Sequence, residues 1–381
     1  MAKRVTLTDI ARETGLSAAT VSMVLNNRPG SRISESTASR VRVVADALGY
    51  SPDVNARGLR TGRSNAVGFI SDEVTITRFA SAMIRGLLDV GGERDYVVMM
   101  AECKNGSPEV ENAVKAMVSR RIDGLLFGQM TARRIEIPRS AGSVPAVIIN
   151  GAADGCQNVL PDEYPAGLEA VDYLLRAGHR RIALLGRREE DLAPEISVTI
   201  GSRMAGINEG MRRGGLEFQK IVAGANWEPE FGYAAAMEVL EDRSITALLV
   251  ANDRMAMGAY QAAQALGLAI PEDISIMSFD DEQLAEYLRP KVTTMRLPYL
   301  EMGKAGMDLL LQGIVPDGVG RAESVAAEKA GEGLGESHVA RAEGGVARAE
   351  GEAGDGVGAR ESEPVLIPMP LVERGSVRHI R

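Results

Sequence analysis

The sequence predicts a small all-α head carrying a helix-turn-helix, followed by a larger α/β body of parallel sheets with helical crossovers. Three observations predict it. Residues 6–26 read as two short capped helices joined by a glycine turn. Beyond Ala66, short apolar runs alternate with helical patterns of apolar residues. Charge is also divided: residues 1–62 hold nine bases and five acids, a net of +4, leaving −13 for the remainder of a chain whose total is −9. A basic head on an acidic body suits phosphate contacts confined to one end.

In the head, Thr6 followed by Asp9 is a capping-box-like start for a helix running through Glu13, and Gly15 ends it. Ser17 caps a second helix whose apolar face is Val21, Val24 and Leu25. Ser34 caps a third, with Ala38, Val41, Ala45 and Leu48 as its stripe and Gly49 as its end. A plain three-helix bundle shares this pattern. A helix-turn-helix places its second helix in the DNA major groove. Next come Pro52 to Arg60, where Pro52 and Asp53 suit a helix start. Gly58 costs that short helix about 1 kcal/mol relative to alanine, so it is marginal alone.

In the body, strands are expected at Val67–Ile70, Tyr96–Met100, Gly124–Phe127, Ala146–Ile149, Ile182–Leu185, Ala247–Val250 and Ile274–Phe279. Helices are expected at Phe79–Val90, Glu109–Ser119, Leu168–Arg176, Arg203–Arg212, Gly232–Glu241 and Arg254–Leu266. In open parallel sheets, ligands bind beyond the carboxyl ends of the strands. Polar pairs follow three of these strands: Ser71 and Asp72, Asn252 and Asp253, Asp280 and Asp281. Together they suggest a polar cleft.

The residues of the head, with L-G-Y-S-P at 48–52 and A-R-G-L-R-T-G at 56–62, closely resemble the lactose-repressor (LacI/GalR) family of bacterial transcription regulators. The resemblance continues through R-M-A-G at 203–206, W-E-P-E-F-G-Y at 227–233, A-N-D-R-M-A-M-G-A at 251–259, S-F-D-D at 278–281 and L-V-E-R-G-S at 371–376. It implies a repressor whose affinity for a near-palindromic operator is controlled by a small-molecule effector of the sugar class. An activator or a corepressor-dependent repressor fits the same residues. By this resemblance DNA is contacted by Thr6, Ser17, Ala18, Ala19, Thr20, Ser22, Met23 and Asn26, and in the hinge by Asn55 and Leu59. Met23 stands where many members carry arginine; it reaches a thymine methyl but makes no bidentate contact to guanine. Leu59 is implied as a wedge entering the minor groove at the operator centre, which requires a homodimer or a higher oligomer. A plain linker with an incidental leucine is the other reading.

The resemblance implies a periplasmic-binding-protein-like body of two doubly wound parallel-sheet subdomains, at about 64–162 with 292–312 and about 163–291 with 364–375. Arg203, Asn252 and Asp280 are implied to hydrogen-bond the effector's hydroxyls, with Trp227 stacked on its apolar face. Phe79 closes the other side, or belongs to the core. The domains are expected at 1–50 for the head, 51–63 for the hinge, and 64–312 with 364–381 for effector binding and dimerisation.

Residues 313–363 break the pattern. The stretch 317–363 holds 11 glycines, 9 glutamates, one leucine and no aromatic in 47 residues, and V-A-R-A-E-G occurs at 339–344 and 346–351. Such a composition buries too little apolar surface to offset chain ordering, so a disordered insertion is expected.

An enzyme on the same fold lacks support: there is no nucleophile elbow, phosphate-cradling glycine loop or metal-ligand cluster, and residues 1–62 go unexplained. A sugar-binding module without regulation leaves the same residues idle. Cys103 and Cys156 have no metal-ligand spacing, and no cofactor is expected. No apolar run reaches the roughly 18 residues of a membrane span, and the start lacks a signal-peptide core. A cytoplasmic protein without membrane partners is the expectation.

Overall fold

The computed structural model describes residues 5–26, 33–50, 63–75, 77–187, 193, 196–224, 226–314 and 363–380. The chain divides into two units, Met1–Ser64 and Asn65–Arg381. Of the expected hinge at 51–63, residues 51–62, with Asn55 and Leu59, and of the expected insertion at 313–363, residues 315–362, lie outside the described residues.

The first unit contains α1 (Leu7–Thr14), α2 (Ala18–Leu25) and α3 (Glu35–Ala47). Each begins at the hydroxyl the sequence marks. Thr6 forms a complete capping box with Asp9. Ser17 Oγ accepts from the Thr20 N–H at 3.1 Å, and Ser34 Oγ from the Thr37 N–H at 3.3 Å. These bonds satisfy N–H groups that have no partner within the helix. Gly15 ends α1 with φ +69°, a left-handed conformation that costs glycine nothing. Ile10, Ala11, Val21, Val24, Ala38, Val41 and Ala45 close over one another as the core of the head.

The second unit is built on two six-stranded sheets. The first contains β1 (Ala66–Ser71), β2 (Val97–Glu102), β3 (Gly124–Arg134), β4 (Ala146–Ala152), β5 (Gln157–Asp162) and β11 (Val365–Pro368), in the order β11-β5-β4-β3-β1-β2. The second contains β6 (Ile182–Arg187), β7 (Lys220–Ala223), β8 (Ala247–Val250), β9 (Ser275–Asp280), β10 (Thr293–Arg296) and β12 (Leu371–Val372), in the order β12-β10-β9-β8-β6-β7. All pairings are parallel except β12 against β10. Helices cover both faces of each sheet, which is why β8, A-L-L-V, is fully buried rather than alternating.

On the first sheet, α4 (Arg78–Glu93) and α11 (Tyr299–Ile314) pack over one face, and α5 (Pro108–Ser119) lies over the other. On the second sheet, α6 (Glu163–Arg176) and α7 (Ile200–Arg213) form one layer, and α8 (Pro229–Val239) with α9 (Asp253–Ala265) the other. The short α10 (Gln283–Tyr287) follows β9. Glycines bring these pairs close: a Cβ on Gly258 would lie 2.0 Å from Pro229 O, and one on Gly232 would lie 2.1 Å from Met255 O.

The chain crosses between the lobes after β5, between β10 and α11, and between β11 and β12. This corrects the expected lobe boundaries. Thr293–Arg296, assigned by sequence to the first lobe, pairs with β9 in the second. Residues 365–368, assigned to the second, pair with β5 in the first. Helix α11 also runs through Ile314, past the expected boundary at Gln312. No helix among the described residues is long and apolar enough to cross a membrane.

Candidate functional site

On the head, helix α2 buries Val21 and Val24. Ser17, Ala18, Ala19 and Asn26 are exposed, and Thr20, Ser22 and Met23 are half-buried. At 100° per residue, positions 19, 22 and 23 fall on the face opposite the buried pair, with 18 on its flank and Asn26 as the C-cap. The ends of this face are braced. Ser17 and Thr20 hydroxyls lie 2.8 Å apart, and Asn26 Nδ2 donates to Ser22 O at 2.7 Å. Small side chains in the first turn leave the helix N-terminus open to close approach by another surface. Thr6, exposed, donates its hydroxyl to Asp9 Oδ2 at 2.7 Å.

In the body, a cavity of about 380 Å³ lies at the carboxyl ends of the strands and is lined from both lobes. It brings together four of the residues singled out in the sequence: Arg203, Trp227, Asn252 and Asp280. For the fifth, Phe79, the side chain is outside what is described.

Arg203 projects from the first turn of α7 and is 1% exposed. Its Nε and Nη2 donate to the two carboxylate oxygens of Glu163 at 2.6 and 2.7 Å. Its Nη1 donates to Ala251 O at 3.0 Å. The guanidinium carbon stands 4.4 Å from the centroid of the Phe279 ring and 6.0 Å from that of Trp227. Burial works against the charge, yet Glu163, with Asp280 farther off, holds the Arg203 pKa above its usual range.

Trp227 precedes α8, and its indole N–H donates to Gly186 O at 2.8 Å, which ties the ring to the end of β6. Asn252 is the N-cap of α9: its Oδ1 accepts from the Met255 N–H at 2.9 Å, and its Nδ2 donates to Trp227 O at 3.2 Å. One residue thereby fixes both the helix start and the backbone that carries the tryptophan. Asp280 ends β9 at φ +103°, a conformation that non-glycine residues rarely adopt and hold only when their surroundings over-determine it. Its carboxyl lies 3.9 Å from Arg203 Nη2, beyond hydrogen-bonding range. Burial pushes its pKa well above the usual carboxylate value, although Arg203 pulls the other way.

The cavity also includes residues that the sequence reading did not single out. Glu163 opens α6, Asn150 stands near the end of β4 with φ +57°, and Tyr299 opens α11. Asn150 Nδ2 donates to Gln129 O at 2.8 Å. The strand-end pairs divide. Asn252 and Asp280 face the cavity. Asp253 points behind it, accepting from Thr294 Oγ1 at 3.0 Å and the Glu282 N–H at 2.6 Å, with Ser278 as a third donor. Burial raises its pKa to about 7. Asp72 braces the first lobe instead, accepting from the Met130 N–H at 2.8 Å and pairing with Arg133 at 3.2 Å.

The geometry is that of a polar cleft with the rings of Trp227 and Tyr299 in its lining, closed by two lobes that three chain crossings connect. No group of three or more potential metal ligands gathers among the described residues.

Comparison with known proteins agrees with both parts. Residues 171–330 match the periplasmic binding protein-like domain. The chain is 30% identical over 313 residues to Catabolite control protein A of Streptococcus mutans serotype c, covering 80% of this chain and 90% of that protein. It is 30% identical over 327 residues to the transcriptional regulator GalS of Salmonella typhimurium, covering 81% and 90%. In fold it resembles the crystal structure of the Lac repressor dimer bound to operator and the anti-inducer ONPF, with a TM-score of 0.69 at 24% identity, over 99% of this chain and 100% of that one. Residues 6–53 match the model for bacterial regulatory proteins of the lacI family, and with these relatives the chain belongs to that family.

Proposed function

We propose that this protein is a DNA-binding transcription repressor whose operator affinity is set by a small sugar-class molecule held in the cleft between its two lobes. The observation that carries this reading is the cleft itself. A cavity lined by an aromatic ring and buried polar side chains from both lobes shares one chain with a capped helix-turn-helix.

On this reading the outer face of α2 meets base edges in the major groove, and Thr6 and Ser17 approach the backbone beside it. Asn55 and Leu59 act in the minor groove, where paired wedges from two protomers kink a near-palindromic site. Trp227 stacks on the apolar face of the effector, while Asp280, Asn252 and Arg203 define the polar side. Residues 1–50, 51–63 and 64–312 with 364–381 act as head, hinge and effector-binding body; 313–363 is an insertion outside this machinery. The operator-bound Lac repressor dimer supports the partner and the dimeric assembly. A cytoplasmic regulator without enzymatic activity fits the same picture.

The switch follows from linkage. A ligand alters DNA affinity only if it binds two arrangements of the lobes unequally. Bridging side chains from both lobes is a direct way to do so. Typical coupling is about 1–3 kcal/mol, or roughly 5–150-fold in affinity. Titrating a genomic fragment selected by the protein, with and without a bound sugar, tests the reading; a DNA affinity indifferent to every cleft ligand contradicts it.

A further inference from the structure

Among the described residues that line the cleft, Arg203 is the single cationic one. Three of its N–H groups already donate to the protein, two of them in a bidentate pair with Glu163. Asp280 is in the opposite position. Its side chain is nine-tenths buried, it faces the cavity, and no donor among the described residues comes within hydrogen-bonding distance of its carboxyl.

The space beside the cleft has the same sign. An adjoining cavity of about 720 Å³ shares Asp280, Leu297 and Tyr299 with the cleft. Among the described residues it adds Asp281, Glu282 and Glu301 against one cation, Arg296, which is paired with Asp281 at 2.7 Å. A cleft lined by one sign of charge concentrates ligands of the other sign and repels its own.

Among the described residues, an anion entering this site meets no cation whose charge is unmatched. Arg203 keeps two N–H groups that can still donate, but its charge is already matched by Glu163, so an anion meets a neutralised pair with Asp280 close by. A hydroxyl or ammonium group has the reverse experience, because it donates to a carboxyl that lacks a donor.

We propose that Glu163 sets the charge specificity of the cleft. By occupying Arg203 it excludes anionic effectors such as sugar phosphates and sugar acids, and leaves Asp280 to receive neutral or aminated polyols. This rests on reading the cleft as the effector site.

The test is calorimetric titration of the full chain with matched series: D-glucose, D-glucosamine, D-glucose 6-phosphate and D-glucuronate, then the corresponding galactose set, then D-ribose with its 5-phosphate. In every series that binds, the neutral or aminated member is expected to bind at least tenfold more tightly than its anionic partners. Glu163→Gln should narrow that gap at least tenfold by raising affinity for the anions, whereas Glu163→Asp should preserve it. Circular dichroism checks the fold of both variants, and the wild-type series decides alone if Glu163→Gln does not fold. Anions that bind wild type as tightly as their neutral partners overturn the charge assignment but leave the effector site standing. So does a gap that Glu163→Gln leaves unchanged. Binding by no member overturns the polyol reading of the cleft itself.

Discussion

The Glu163 carboxylate holds the Arg203 guanidinium through two hydrogen bonds of 2.6 and 2.7 Å, and the side chain of each is only 2% exposed. The pair joins the first residue of α6 to the first turn of α7, just where the chain has crossed from one lobe to the other. Removing one partner of such a pair strands a buried charge. Arg203→Met is therefore expected to cost about 3–5 kcal/mol, and Glu163→Leu a similar amount. The double variant should recover most of the loss, because a matched apolar pair leaves no charge unpaired. Urea unfolding of the four proteins measures the coupling; additive losses would mean that the two side chains do not act as a pair.

Helix packing in the second lobe makes a sharper steric claim. A methyl on Gly258 would sit 2.0 Å from Pro229 O, so Gly258→Ala must push α9 away from α8. Overpacking of this kind costs about 1–3 kcal/mol, and backbone contact places it at the upper end. Gly92, in the last turn of α4, meets nothing within 4 Å. Gly92→Ala should stabilise by up to about 1 kcal/mol through helix propensity alone. Thermal melts of both variants check that the two glycines move in opposite directions.

His179 gives a pH dependence of definite sign. Its ring is fully buried, with Nδ1 2.9 Å from Thr246 Oγ1 and Nε2 3.2 Å from Arg378 O. In the neutral ring Nε2 donates to that carbonyl and Nδ1 accepts from the threonine. Burial lowers its pKa from 6.5 to about 4. As the pH falls below 6.5 the unfolded chain takes up this proton and the folded chain does not, so stability falls until the pH nears 4. Between pH 7 and pH 5 wild type should lose about 2 kcal/mol more than His179→Asn. Asp253, raised to about 7, works in the opposite sense; its carboxyl gains a proton earlier in the fold than in the unfolded chain. Comparison with the variant isolates the histidine. Equal losses in urea unfolding at the two pH values would contradict its burial as a neutral ring.

The head was legible in the sequence because its signals are local. Thr6, Ser17 and Ser34 each sit one residue before a helix, and Gly15 supplies the turn. Arg203, Trp227, Asn252 and Asp280 were legible through motifs that resemble a family, and the structure places them around one cavity. Glu163 was not. Pro165 stands in the first turn of α6, where proline is tolerated, and the apolar pattern starts only at Leu168. The helix therefore read five residues short, and its first residue was overlooked. Strands β10 and β11 were assigned to the wrong lobes because their partners, β9 and β5, are decided by pairing across the whole fold. Four-residue β7 carries too little pattern to register.

On the proposed reading, occupancy of the cleft governs DNA binding. Asp280→Asn removes the carboxyl that faces the cavity and lies on the second unit, apart from the helix-turn-helix. The measurement is fluorescence anisotropy of a labelled, selected DNA fragment titrated with wild type and with Asp280→Asn, each with and without the tightest-binding sugar. Wild type should change its DNA affinity by roughly 5–150-fold on adding the sugar. Asp280→Asn should bind DNA as wild type does without sugar and show no change when sugar is added. A normal sugar response from Asp280→Asn, or none from wild type at saturating sugar, would contradict the account.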